Sequence, residues 1–109
     1  MLFVATFNLK PGLSRDTMEE AISRHKGWEH PPGLKVVADY FVHGSPNIIV
    51  VFEASDVEPI YALNYVWADV FDISVHPAMP LDEAIRLGGQ LGQFTKSEGN
   101  TIGSPQGGG

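Results

Sequence analysis

Residues 34–53, LKVVADYFVHGSPNIIVVFE, decide the fold that this sequence predicts. The two halves of this stretch consist largely of β-branched, aromatic and small residues, which favour β-strands. Between them, Gly44, Pro46 and Asn47 are residue types that are typical of turns. We therefore predict a β-hairpin around which the rest of the chain is organised.

Alternation along the first hairpin strand separates two faces. One face is predicted to be apolar and carries Leu34, Val36, Ala38, Tyr40 and Val42. The other face is mixed and carries Lys35, Val37, Asp39, Phe41 and His43. The second strand, residues 48–52, is apolar on both faces, whereas a sheet with one wetted side would show polar alternation. Both sides of the sheet are therefore expected to be covered.

The composition excludes several classes of protein. A chain of 109 residues is expected to form one domain. It has no cysteine, and its 13 acidic against 7 basic residues argue against a nucleic-acid partner. No apolar run approaches the ~18 residues of a membrane span, and the beginning lacks the features of a signal peptide. We expect no membrane association and a cytoplasmic location.

The remaining segments complete an alternating pattern of strands and helices. A strand over residues 2–9 precedes an amphipathic helix from Ser14 to about Lys26. A second helix is predicted after the hairpin, with Asp56 as N-cap and Pro59 in its first turn. A fourth strand covers residues 70–76, and a short third helix over residues 82–87 is expected to stop at the following glycines.

The order β-α-β-β-α-β predicts an α+β fold of the ferredoxin-like kind, with two helices on one face of a four-stranded antiparallel sheet. The other face is too apolar to be wetted, and exposed apolar area of this kind indicates an interface. We expect a homodimer in which two sheets form an α/β barrel. Residues 1–88 would form this domain.

Residues 89–109 are predicted to be a glycine-rich C-terminal tail. Eight of the twelve glycines lie between Gly88 and Gly109, which is typical of a flexible segment. Such a tail could dock on a neighbouring protein by adding a strand to a sheet edge. It could equally be a disordered end.

The sequence resembles a family of small dimeric α/β-barrel proteins described as a domain of unknown function. The resemblance spans about residues 1–88. It lies in the opening MLFVATFNLKPG, in Trp28 with Pro31-Pro32-Gly33, and in Trp67, Val70-Phe71-Asp72-Ile73, Pro77 and Glu83-Ala84. It implies the dimeric barrel and no defined activity. The wider superfamily includes cofactor-independent monooxygenases, lactone isomerases and haem-handling enzymes.

Polar residues on the strand face away from the helices are the first site candidates, because buried polar groups need partners that a ligand can supply. As catalytic residues the pattern favours His43, His76 and Asp39. As ligand-binding residues it favours Thr6, Asn8, Phe41, Asp72 and Ser74. The structural alternative is that these side chains only form hydrogen bonds at the barrel mouth or dimer rim.

No metal or cofactor is predicted. In the strand order 4-1-3-2, His43 and His76 lie on opposite edge strands about 14 Å apart, too far to share one ion. Two explanations are open for His25. It could interact with the last carbonyls of the first helix, or His25 or His30 could act as acid or base in a cleft between helix and sheet.

The aromatic residues also leave two explanations open: they could build the core or accept a flat aromatic substrate. They are Trp28, Tyr40, Tyr61, Tyr65 and Trp67. We therefore expect a homodimer that binds a small apolar or aromatic molecule in the barrel or in the helix–sheet cleft. The alternatives are a cofactor-independent monooxygenase or isomerase, and an assembly subunit joined through its tail.

Overall fold

In the computed structural model, residues 1–96 are described, with side chains up to residue 92. The chain divides into two compact units, Met1–Ala78 and a second that begins at Met79. The first unit contains β1 (Leu2–Leu9), α1 (Arg15–Lys26), β2 (Leu34–Phe41), β3 (Ile48–Ala54), α2 (Glu58–Trp67) and β4 (Phe71–Pro77). The predicted β-α-β-β-α-β order is therefore confirmed.

The four strands form one antiparallel sheet in the order β2-β3-β1-β4. Strand β1 is central, and its Ala5 lies opposite Val50 of β3 and Val75 of β4. This arrangement confirms the α+β, ferredoxin-like fold class.

The core lies between the helices and one face of the sheet, here called the helix-covered face. Because directly opposed residues share a face, the pairing places Ala5, Phe7, Val50 and Phe52 together on it. The buried core joins these side chains to α1, α2 and their flanking residues: Ala21, Leu34, Ala54, Leu63, Trp67 and Val70. The other side of the sheet, called the opposite face, carries the intervening residues of each strand.

Strand β2 departs from the predicted alternation. Val36 lies opposite Phe52 and Ala38 lies opposite Val51, so Val37 is an extra residue in a β-bulge. The bulge reverses the faces for the rest of the strand. The prediction that Asp39 and Phe41 share a face with Lys35 is therefore wrong, because both lie on the helix-covered face.

The two helices begin differently. Ser14 caps α1 as predicted, and its side chain accepts a hydrogen bond from the Thr17 backbone amide at 3.1 Å. The predicted cap of α2 is wrong, because Val57 occupies the N-cap position without a side-chain hydrogen bond. Pro59 lies in the first turn of α2 as expected, where a missing backbone amide costs no helical hydrogen bond.

The second unit contains α3 (Leu81–Lys96), which is longer than predicted. The helix continues through Gly88 and Gly89, although each glycine costs about 1 kcal/mol of helix stability relative to alanine. Apolar residues at helical spacing on either side of the glycines, Leu87 and Leu91, together with one hydrogen bond gained per added residue, favour continuation. Residues 89–96 of the predicted tail are thus helical. Residues 97–109 lie outside the described residues, and docking of the tail stays a prediction.

Over residues 1–96, the structure contains no helix that is both long and apolar enough to cross a membrane.

Candidate functional site

A cleft of about 350 Å³ lies in the first unit between α1 and the helix-covered face of the sheet. Its volume is at the lower end of the ~300–1,000 Å³ range of ligand pockets. The walls are mainly apolar and include Phe7, Leu9, Met18, Ala21, Ile22, Ile48, Val50, Leu63 and Val70. Four polar or titratable residues also line it: His25, His30, Asp39 and Asn47. The site can therefore hold a compact apolar molecule and contact it with a few polar groups.

Helix α1 and the connection after it supply one wall of the cleft. His25 lies one turn after Ala21, so both residues lie on the same side of the helix. The helix ends at Gly27, and the Trp28 backbone amide then donates to the His25 carbonyl oxygen at 3.1 Å. This turn brings Trp28 and His30 back to the cleft.

The β-bulge supplies the facing wall. Because Val37 is the extra residue, Asp39 lies opposite the buried Val50, and Phe41 lies opposite Ile48. Both side chains line the cleft. Bulges commonly redirect side chains next to functional sites, and here the bulge brings a carboxylate to an otherwise apolar wall.

Aromatic rings form a continuous surface along the cleft. Trp28 meets Trp67 edge-to-face with ring centroids 5.7 Å apart, and Trp67 meets Phe71 at 6.1 Å. Phe71 in turn meets Phe7 at 5.5 Å. Such rings offer a large apolar surface with little conformational freedom, which suits a flat ligand.

Arg24 fixes Trp67 from outside the cleft. Its guanidinium lies 5.0 Å from the centroid of the Trp67 ring and donates to the Val66 carbonyl oxygen at 2.7 Å. It also bonds both carboxylate oxygens of Asp69, at 3.0 and 2.9 Å, and pairs with Glu20. These contacts join α1 to the end of α2 and hold the aromatic wall in place.

The polar side chains of the cleft differ in whether they already form hydrogen bonds with other protein groups. The Asn47 side chain accepts from the Leu9 amide at 2.8 Å and donates to the Gly44 carbonyl oxygen at 3.1 Å, so it closes the hairpin turn. The side chains of His25, His30 and Asp39 form no hydrogen bond or ion pair with any residue in the described part of the chain. These three groups are therefore available to a ligand.

His30 is the group in the cleft whose protonation is shifted by its surroundings. Burial lowers the pKa of His30, because it disfavours the charged imidazolium. The nearby Asp39 carboxylate opposes this shift, and the neighbouring His25 adds to it. His30 is thus neutral at neutral pH, and one ring nitrogen can accept a proton or a hydrogen bond.

Most of the site residues predicted from sequence lie elsewhere. Thr6, Asn8, Asp72, Ser74 and His76 are on the opposite face, and none lines the cleft. Asn8 accepts a hydrogen bond from the Ser45 hydroxyl at 2.6 Å, and Asp72 accepts one from Lys10 at 2.9 Å. Their proposed roles stay predictions.

The three predicted catalytic residues do not meet at one place. His43 follows β2, is exposed, and lies beside the cleft residue Phe41 with ring centroids 5.3 Å apart. His76 is on the opposite face, and only Asp39 lines the cleft. Asp39 shares the cleft with His25 and His30, the two histidines that were predicted as an alternative acid or base between helix and sheet. Among the described residues, no group of three or more His, Asp or Glu side chains could hold a metal ion.

The family assignment agrees with the fold. Residues 1–92 match the model of the family described as Domain of unknown function (DUF3303). The chain therefore belongs to this family. No curated protein matches the chain.

Proposed function

We propose that this member of the DUF3303 family binds a small apolar or aromatic molecule in the cleft between α1 and the sheet. The observation that carries the proposal is an apolar cleft whose three titratable side chains form no hydrogen bond or ion pair with any described residue. All three residues are exposed to solvent, so a ligand can replace the water around them, and a few polar groups that converge on a concave apolar site are typical of ligand recognition.

The aromatic wall supports a flat ligand. Trp28 and Trp67 present rings on one side of the cleft, and Phe41 lies at its edge with 70% of its surface exposed. A planar ring can contact several of these groups at once with offset or edge-to-face geometry. Burial of the ligand's apolar surface would supply most of the binding free energy, at roughly 25 cal/mol per Å².

A titration with 2-methoxynaphthalene tests this proposal, because the probe is flat, neutral and almost wholly apolar. We expect saturable quenching of tryptophan fluorescence, since Trp28 and Trp67 both line the cleft. Replacing Ala21, which is 9% exposed in the cleft wall, by leucine should abolish saturation by filling the cavity. Ser23→Leu, an exposed position on the same helix, is the matched control and should leave binding unchanged. Absence of saturable binding to the wild type, both of this probe and of its hydroxyl analogue 2-naphthol, would refute the proposal.

We further propose that the protein acts as a homodimer joined through the opposite face. Val4, Ile49 and Val51 are half-buried there, and Tyr40 is 60% exposed. Continuous apolar surface supports an isologous interface. Light scattering should give twice the 11.9 kDa of the chain, and Val51→Glu should reduce it to one chain mass. Tyr61→Glu, on the exposed side of α2, is the control; a monomeric wild type would rule the dimer out.

A second candidate function is proton transfer, as in an isomerase or a cofactor-independent monooxygenase. It is supported by a neutral His30 beside Asp39 and His25 in the same cleft, since a neutral imidazole can act as general base. The bicyclic ketone 2-tetralone, which has acidic C–H groups, provides a test in deuterated water. We expect exchange faster than in buffer for the wild type and for His76→Gln, and loss of the acceleration in His30→Gln. Buffer-level exchange by the wild type would remove this candidate.

A further inference from the structure

Negatively and positively charged side chains are unequally represented in the lining of the cleft. Among the residues that line it in the described part of the chain, Asp39 is the one carboxylate, and there is no lysine or arginine. Arg24 is on the adjoining helix, but its guanidinium is engaged by Glu20, Asp69 and the Val66 carbonyl oxygen. The described lining of the cleft thus offers no permanently charged cation that could neutralise an anionic ligand.

Asp39 is the group in the site whose hydrogen-bonding capacity is one-sided. An ionised carboxylate only accepts hydrogen bonds, whereas each neutral imidazole has one nitrogen that donates and one that accepts. Asp39 has no donor of its own among the described residues. A ligand that donates a hydrogen bond would satisfy it, whereas a ligand without a donor would remove water from the carboxylate and leave it unpaired.

From these two features we propose that the cleft selects neutral aromatic molecules carrying a hydroxyl or amino group, which donates to Asp39, and that it rejects aromatic carboxylates. The proposal rests on the ligand-binding function proposed above and names its ligand class. Repulsion from Asp39 excludes the anion, and the donor requirement separates phenols from ethers and hydrocarbons of the same shape.

The geometry limits the size of the effect. Asp39 is exposed at the cleft edge rather than deeply buried, so water can partly replace a missing donor. A hydrogen bond to a charged group of this kind is expected to change affinity by about tenfold. The much larger discrimination of fully buried polar sites is not expected here.

Three probes of one shape test the proposal by isothermal titration calorimetry at pH 7.5. They are 2-naphthol, 2-methoxynaphthalene and 2-naphthoate, which differ in donor and charge. We expect 2-naphthol to bind about tenfold more tightly than 2-methoxynaphthalene, and 2-naphthoate to bind more weakly than either.

The variant Asp39→Asn keeps the size of the side chain and removes its charge. It should weaken 2-naphthol binding about tenfold and narrow the gap between 2-naphthol and 2-naphthoate. Asp72→Asn, a strand aspartate on the opposite face, is the matched control and should leave all three affinities unchanged. Because Asp39 is exposed and unpaired, its replacement should not unfold the protein, which thermal unfolding checks.

The outcomes separate this inference from the proposed function. If 2-naphthol binds no more tightly than 2-methoxynaphthalene, or 2-naphthoate binds as tightly as 2-naphthol, the ligand class is wrong while the cleft remains a binding site. An Asp39→Asn variant with wild-type selectivity would also overturn the inference. If none of the probes binds the wild type, both the inference and the proposed function fail.

Discussion

The two faces of the sheet both carry polar side chains, but they use them differently. On the opposite face, Asn8 and Asp72 are hydrogen-bonded to Ser45 and Lys10. The helix-covered face presents Asp39 to an apolar cleft, where it has no such partner among the described residues. A polar residue indicates a ligand site when it combines concave apolar surroundings with the absence of a hydrogen bond to other described residues. Strand polarity alone, which is greater on the opposite face, does not indicate one.

The largest difference between the faces is expected in stability. Phe52 is fully buried on the helix-covered face and stacks on Phe3 with ring centroids 5.5 Å apart. Phe52→Ala should lower the free energy of unfolding by about 3–5 kcal/mol, because it leaves a cavity. Its neighbour Val51 is half-buried on the opposite face, so Val51→Ala should lower the free energy of unfolding by about 1 kcal/mol or less. Urea unfolding measures both.

Equal losses would mean that the opposite face is packed as tightly as the core. The proposed dimer gives this comparison a second test, because its contribution to stability must depend on protein concentration. The loss of stability in Val51→Ala should therefore grow with protein concentration. The loss in Phe52→Ala should remain the larger of the two.

The two sites of ion pairing among the described residues differ in exposure and should differ in their contribution to stability. Arg24, with 23% of its side chain exposed, bonds a backbone carbonyl and Asp69 and covers Trp67. Arg24→Ala should cost about 1–3 kcal/mol. Within the described part of the chain, the Lys10 ammonium pairs only with Asp72, and the two side chains are 38% and 65% exposed, so Lys10→Ala should cost less than about 1 kcal/mol. Thermal unfolding of both variants decides this, and a larger loss for Lys10→Ala would contradict it.

The Arg24 contribution should also depend on pH. The hydrogen bond from Arg24 lowers the pKa of Asp69. The folded state therefore binds this proton less readily than the unfolded state, so the stabilisation is present above the ordinary aspartate pKa and is lost as the pH falls. The stability difference between wild type and Arg24→Ala should shrink in acid. A difference that stays constant down to the acid transition would show that packing on Trp67 accounts for the effect.

A smaller effect separates two adjacent residues of β2. Phe41 lines the cleft, and Tyr40 lies opposite Ile49 on the other face, yet both are largely exposed. Phe41→Ala should weaken 2-methoxynaphthalene binding about fivefold, equivalent to ~1 kcal/mol of lost contact, while Tyr40→Ala should change it less than twofold. Fluorescence titration measures both affinities. The reverse order would mean that the bulge at Val37 does not set the faces of this strand.

Much of the fold could be predicted because it depends on local patterns. The turn residues of 43–47, the Ser14 cap and the alternating β and α segments each report on their own neighbourhood, and their order limits the topology. The end of α3 could not be predicted in this way. Two adjacent glycines are a strong local signal to stop, but the signal amounts to only about 2 kcal/mol, which continuing helical contacts can offset.

The site was harder to predict because it depends on one residue of strand register. An extra residue in a strand reverses every side chain that follows, and two successive valines, Val36 and Val37, give no sign of which one is extra. Asp39 and Phe41 were therefore expected on the wrong face. Knowledge of the pairing with β3 was needed to place Asp39 beside His30 and His25.

The smallest expected effect is the pH dependence that His30 gives to stability. Burial lowers its pKa below the ordinary histidine value of about 6.5, with His25 adding to the shift and Asp39 opposing it. The unfolded chain then binds this proton more readily than the folded protein, so the free energy of unfolding falls as the pH drops below about 6.5. His30→Gln removes the proton-binding group from both states and should retain more of its pH 7.5 melting temperature at pH 5.5 than the wild type.

His76→Gln, on the opposite face, also removes one imidazole and is the matched control. If both variants flatten the profile equally, or if His30→Gln follows the wild type, His30 does not experience the desolvated cleft that distinguishes the helix-covered face. A difference confined to His30→Gln would instead locate the effect at the cleft. A ligand that occupies the cleft should lower the pKa of His30 further, because it removes more water from the same imidazole.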